Sequence, residues 1–223
     1  MSDNALGPGP RTRVRRLAKK ASYDEAVIFA ILDEARLCHV AATVHGKPVA
    51  LPTLHAREDH TIYLHGSPSS EVLKSILRSG EAFVTATLYD GLRLARSGFE
   101  SSIAYRSVVV VGPAKEVLDD AEKTRVLDLF VDRVLPGRAK EVRPMSEQER
   151  RLTMVVALSI EEASAKISSG PTDDEFEDQE LAVWSGTVPA RLVFDAPVPY
   201  VNGAMASGGL DLPASVRKLL DLA

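Results

Sequence analysis

Four successive valines, Val108 to Val111, followed by Gly112, constrain this chain more than any other stretch. A strand sends alternate side chains to opposite faces, so an unbroken β-branched run needs apolar cover on both. The segments around it read as short strands joined by tight turns. Arg36 to Val44 is a strand, His45-Gly46-Lys47 a turn, and Pro48 to Ala56 the next strand. Arg57 to His60 connects to Ile62-Tyr63-Leu64. Ala82 to Leu88 follows, Asp90-Gly91 carries a hairpin signal, and Leu92 to Ala95 returns from it. Thr153 to Ile160, Ala163 to Ser168, and Ala182 to Pro189 with the sole tryptophan, Trp184, bring the count to seven or eight. Consecutive strands favour a closed antiparallel barrel over a βαβ fold. One face of the valine strand then fills the barrel, and the other meets a helix or a partner subunit.

Helices fit around this barrel. Ser22-x-x-Glu25 spells a capping box, which starts a helix near Tyr23 with Val27, Ile28, Ile31, Leu32 and Ala35 inward. Asp119 or Asp120 caps a longer one to about Leu135, buried through Leu127, Phe130, Val131 and Val134 and stopped by Pro136-Gly137. Shorter helices are expected at Ser146 to Arg151 and Leu212 to Leu222. Asp173 to Glu180 is acidic and reads as a solvated loop. Residues 1–15 are expected as a disordered basic arm, 16–190 as the barrel domain, and 191–223 as an extension with a short helix.

Several functions are excluded. A net charge of −4 does not suit a general nucleic-acid binder. No run of ~18 apolar residues exists, so no membrane helix is expected. The N-terminus lacks a secretory apolar segment, and the single cysteine, Cys38, permits no internal disulfide, which fits a reducing cytoplasm. The five histidines show no i, i+4 pair, and no metal site is expected. Motifs for hydrolases, P-loops, dinucleotide folds and CxxC redox centres are absent.

What remains is one anion-binding pattern and one group of cations. Thr61 to Gly80 begins as a strand, breaks at His65-Gly66, and starts a helix with Ser67 as cap, Pro68 in first position, and Ser69, Ser70 and Glu71 in the first turn. Val72, Leu73, Ile76 and Leu77 form its apolar stripe and Gly80 its stop. A turn rich in free N–H groups and hydroxyls suits an anion, with Lys74 one turn further in; an ordinary capped helix has the same residues. His65, at the strand end beside this turn, is either a general acid or a structural histidine. Arg96-Ser97, Tyr105-Arg106-Ser107 and Lys166 form the second group. Arginines near a barrel mouth need an anion, or else pair with surface glutamates such as Glu100.

The segments PTLHARE, IYLHGSPSSEVLKSI, ATLYDGLRLARSGF, YRSVVVVGPAKEV, LPGR, SAKI-SGP and VWSGTVP, in this order from about Arg16 to Pro189, resemble the pyridoxamine 5′-phosphate oxidase-like flavoproteins of the split-barrel fold, closest to the flavin-nucleotide-binding, nitroimidazole-reductase-type branch. The resemblance implies a mainly β chain. Its centre is a six-stranded antiparallel split β-barrel with peripheral α-helices, forming a homodimer with FMN at the interface. It implies the FMN phosphate on Gly66, Ser67, Ser69 and Ser70. Pro52 and Thr53 would lie at the isoalloxazine edge, Arg106 and Ser107 would come from the strand crossing near it, and His65 would face the flavin. The Arg-rich motif that grips pyridoxal phosphate in true oxidases is not recognisable, so that activity is not expected. Three functions follow: an FMN-dependent oxidoreductase acting on a small acceptor, a flavin- or haem-binding module without turnover, or a cofactor-free barrel dimer acting through interactions.

Overall fold

The computed structural model describes residues 6–200 and 211–221. Residues 1–5 of the arm, and residues 201–210 and 222–223 of the extension, lie outside the described residues. In chain order the elements are β1 (Ala21–Ser22), α1 (Glu25–Glu34), β2 (Cys38–Val44), β3 (Lys47–Thr53), β4 (His55–Glu58), β5 (Thr61–Gly66), α2 (Glu71–Ser79), β6 (Glu81–Leu94), β7 (Ser102–Glu116), α3 (Asp120–Val134), α4 (Glu147–Arg151), β8 (Met154–Ser159), β9 (Glu162–Ser168), β10 (Gly186–Pro189) and α5 (Ala214–Asp221).

Every strand pair is antiparallel. The order is β3-β2-β6-β7-β8-β5-β4, with β9 joining β7 to β1 and β10 added to β6. The expected mainly β, antiparallel split-barrel class with peripheral helices is what the chain forms. The count is ten strands among the described residues, not six, and β3 and β4 end the path unpaired with each other, so the sheet is open. The strand expected over Pro48 to Ala56 divides at Leu54, sending β3 to β2 and β4 to β5.

Two apolar layers hold the sheet. Val84, Ala86, Val108 and Val110 face α1 (Ile28, Ile31, Leu32) and α2 (Val72, Leu73, Ile76) in the main core. Behind β5 and β8, Tyr63, Val155 and Ala157 meet α3 through Val126, Leu127 and Phe130. The valine run thus behaves as its alternation demands. Val108 and Val110 are fully buried, Val111 is nearly so, and Val109 is half-buried between Thr85 and Ser164.

Local chemistry shifted several expected boundaries. The cap of α1 is Asp24, accepting from the Ala26 N–H, while Ser22 accepts from Asp24. The cap of α2 is Ser70, accepting from Leu73, because Ser67 to Ser70 closes a β-turn first, with the Ser70 N–H donating to Ser67 O at 2.9 Å. Gly80 ends α2 in the left-handed region at φ 72°. Asp90-Gly91 is not a hairpin. β6 runs through it with a β-bulge, and the turn to β7 comes at residues 95–101. Gly91 is required there: φ is +140°, and a Cβ would collide with Val188 O of β10. Trp184 lies outside β10 and is exposed. The expected N-terminal arm is fixed at Arg11, which reaches Glu81 at 2.6 Å and Glu162 at 2.9 Å.

Candidate functional site

The strand β5 delivers His65 and Gly66 opposite Val155 and Met154 of β8, and the chain then turns into α2. Ser67 and Ser69 hydroxyls bond each other at 2.8 Å, and the Ser69 N–H donates to Ser67 Oγ at 3.2 Å. Ser70 is spent on its cap at 3.4 Å. The remaining first-turn N–H groups, those of Glu71 and Val72, are the donors a helix start leaves open. Gly66 has little room for a side chain, since a Cβ would come within 3.0 Å of Leu73 Cδ1. Lys74 does not extend freely over this turn; it pairs with Glu71 at 3.1 Å. That contact, with coulombic help from Lys74, holds the Glu71 carboxyl below its ordinary range.

His65 packs against Phe130 of α3, ring centroids 4.2 Å apart. Its Nδ1 is buried with no hydrogen-bond partner, so the backbone carbonyl expected of a purely structural histidine is not found at that atom. Burial pushes its pKa below 6.5, so the ring is neutral at pH 7. It therefore offers an imidazole N–H and a lone pair, and not a resting imidazolium.

Pro52 and Thr53 sit on β3 opposite His39 and Cys38. The Cys38 thiol is fully buried and pushed up to about 12 by that burial, which makes it inert. Next to this pair a groove of about 920 Å³ runs along β2 and β6, lined by His39, Thr87, Tyr89 and Arg106 and closed by Leu192 and Phe194. The volume is of the size that holds a small molecule or cofactor. Arg106 is already neutralised in its wall, with Glu34 at 2.5 Å and Asp90 at 2.8 Å. The double pairing raises its pKa and lowers that of Glu34.

The other sequence-predicted residues separate into two places. Arg96 pairs with Asp174, whose carboxylate accepts from Nη1 at 2.6 Å and from the Arg96 N–H at 2.8 Å. Ser97 shapes the β6–β7 turn, its Oγ accepting from the Glu100 N–H at 3.2 Å. Ser107 and Lys166 are cross-strand partners, with Ser107 Oγ donating to Lys166 O at 3.4 Å, and Tyr105 lies opposite Ser168. Arg96 and Arg106 are thus not one cluster. Each has found a carboxylate, and Arg96 takes the second aspartate of the segment expected as a solvated loop.

Sequence reasoning missed three polar centres. His55 is fully buried, and its Nε2 donates to Leu32 O at 2.9 Å, which leaves Nδ1 bare and without a partner. Arg133 donates to Leu32 O at 3.1 Å and Ala35 O at 2.5 Å, while Arg36 donates to Val134 O at 3.3 Å and Arg133 O at 3.4 Å. Arg93, 4% exposed, reaches Ser168 and Pro171 O. Only the placement of Arg36 and Arg133 at helix C-termini was a usable signal.

The family profile described as pyridoxamine 5′-phosphate oxidase matches residues 24–167. Among solved structures, the flavocytochrome Anf3 of Azotobacter vinelandii is 34% identical, with a TM-score of 0.87, over 95% of this chain and 97% of that one. The FAD and haem binding protein of Mycobacterium smegmatis is 35% identical, with a TM-score of 0.83, over 90% of this chain and 97% of that one. No curated protein matches the sequence. No helix among the described residues is long and apolar enough to cross a membrane.

Proposed function

Since this chain belongs to the pyridoxamine 5′-phosphate oxidase family, we propose that it binds a flavin nucleotide and passes the flavin's electrons to a small acceptor. The observation behind this reading is the strand-end turn. Ser67 and Ser69 hydroxyls bond each other, Ser67 Oγ accepts one further N–H from Ser69, and two helix-start N–H groups stand beside them. These groups would take the nucleotide's phosphate by hydrogen bonding, since Lys74 and Arg106 are both paired with carboxylates. Pro52 and Thr53 would edge the ring system, and the groove along Tyr89 would admit the acceptor. When bound, the flavin supplies the redox chemistry; the protein orients it and limits water.

FMN is the nucleotide this single phosphate turn satisfies on its own. FAD is the alternative, because one structural relative is named for it. Purified protein should be yellow, with a band near ~450 nm, and the released flavin identifies the nucleotide by its mass. Colourless protein that takes up neither FMN nor FAD would overturn the reading. The double change Ser67→Ala/Ser69→Ala should weaken FMN by about 10- to 100-fold, the loss of one charge-assisted contact, while riboflavin binding holds. Ser70 is left intact in this test because it caps α2.

A second reading has its own observation in His65. A neutral imidazole with an unpartnered, buried Nδ1 beside an aromatic ring is a donor that haem iron accepts. Both structural relatives are named for a cytochrome or for haem. On this reading His65 would hold the iron, with Phe130 packed against its imidazole to orient it. His65→Gln would then abolish the haem Soret band of haem-reconstituted protein and leave flavin binding in place. If the band persists in the variant, His65 is not the ligand.

A further inference from the structure

Two cations, Lys20 and Arg93, meet at Ser168 at the end of β9, and a third, Lys166, stands on the same face of that strand, away from the serine turn. Lys20 Nζ donates to Ser168 Oγ at 3.3 Å, and Arg93 Nη1 donates to the same oxygen at 3.1 Å. Lys166 lies two residues earlier on β9, on the same face as Ser168 and opposite Ala21, the neighbour of Lys20. Two donors occupy the acceptor positions of the Ser168 hydroxyl. Its own proton has no acceptor among the described residues.

The charges there are not balanced. Neither lysine has a carboxylate within 4.0 Å among the described residues, and the nearest acid to Arg93 is Asp173 at 3.7 Å, on a largely exposed side chain. Asp174, next along, is spent on Arg96. Arg93 is more than nine-tenths buried, yet its Nε is unpartnered. A buried guanidinium with so weak a counter-ion is costly unless an anion completes it.

We propose that Lys20, Arg93 and Lys166 form a phosphate-ester site centred on Ser168 Oγ. A phosphate oxygen accepts the free Ser168 proton, the two ammonium groups neutralise its charge, and Arg93 anchors the hydroxyl. This site is separate from the serine turn of the same protomer. Gly66 reaches β7 through β8 at Ala114 to Glu116, whereas Ser168 pairs with Tyr105, nine residues earlier. That is about 30 Å along the strand, too far for one phosphate to span. The phosphate has two possible sources with shared chemistry: the outer phosphate of a flavin nucleotide, or a second nucleotide.

Calorimetric titration of the full chain with pyrophosphate and with ADP tests this, with adenosine as the uncharged control. The double variant Lys20→Gln/Lys166→Gln should bind both anions about tenfold or more weakly at an unchanged melting temperature, and Ser168→Ala should also weaken them. Arg93 is left alone because its burial makes a folding defect the expected result. If flavin content falls with the double change, the phosphate is the flavin's; if flavin stays while ADP affinity drops, it belongs to a second nucleotide. Wild type and double variant binding pyrophosphate equally, or neither binding it at millimolar concentration, overturns the proposal. A colourless protein that still shows the difference would sink the flavin reading and leave this one standing.

Discussion

His55 and His65 are both held below the ordinary histidine pKa by burial, His55 despite its bond to Leu32. The consequence for stability has a definite sign. In the unfolded chain each ring titrates near ~6.5, so between that value and the lower folded values the unfolded state carries more protons. Stability is then complete above about pH 7 and falls as pH drops through ~6.5 toward 5, with each ring adding at most about 1.4 kcal/mol per pH unit. The carboxylates with lowered values, Glu34, Glu71, Glu141, Glu149 and Asp174, act only in more acid solution. Melting temperatures measured from pH 8 to pH 5 should therefore decline. The variant His55→Gln, which keeps a donor for Leu32 O, should flatten the decline; an unchanged slope would mean that ring contributes nothing. At this scale the sequence was partly readable. Ser67 and Ser69 could be found from their place after a strand-end glycine. The environment of His65 could not, because Phe130 comes from a helix 65 residues on.

Among the elements, α1 and α3 end against each other and exchange arginines. Arg133 of α3 covers the last carbonyls of α1, and Arg36, just past α1, covers those of α3. Each guanidinium meets carbonyls that a helix C-terminus leaves without N–H partners, and its charge opposes the helix dipole. Burial lowers the Arg133 pKa, yet the group stays charged. Arg133→Met keeps the aliphatic stem and removes the donors, so it should cost about 2–3 kcal/mol, read as a lower denaturation midpoint at unchanged slope. A loss below about 0.5 kcal/mol would mean the carbonyls are served by water instead. The helices themselves were legible from periodicity and caps; the Ser146–Glu149 capping box that starts α4 was there in the sequence but was not read from it. The Asp90-Gly91 signal misled because its usual meaning assumes free space. Here Asp90 answers Arg106, and β10 presses its backbone onto Gly91. Both constraints come from residues far away in sequence, which local turn chemistry does not register.

For the whole molecule, the order of strands and the two-sided valine run pointed to an antiparallel barrel, expected closed, whereas the sheet is open; the split form came from the family resemblance, and a homodimer is a prediction to measure. Val111 is covered by its own chain, so the apolar surface available to a partner lies further along the same sheet. Ile103, Leu92 and Val188 form an exposed cross-strand row with Tyr89 nearby. A dimer seated there should bury ~2,000 Å² or more in total. Leu92→Glu/Ile103→Glu should halve the mass seen by light scattering without changing the melting curve's shape. A wild-type protein that is monomeric at micromolar concentration would end the idea. The pairing of β1 with β9 has a further consequence, for how this protein is made. Ala21 and Ser22 close onto Lys166 and Ala165, some 145 residues later. During synthesis the first strand leaves the ribosome long before its partner exists, and Arg11 must likewise wait for Glu162. The β1–β9 pairing therefore cannot form until residue 166 has been translated, and the β-edges it covers stand exposed until then. Folding on the ribosome should be late and abrupt, and nascent chains ending near residue 150 should depend on chaperones more than the finished protein does.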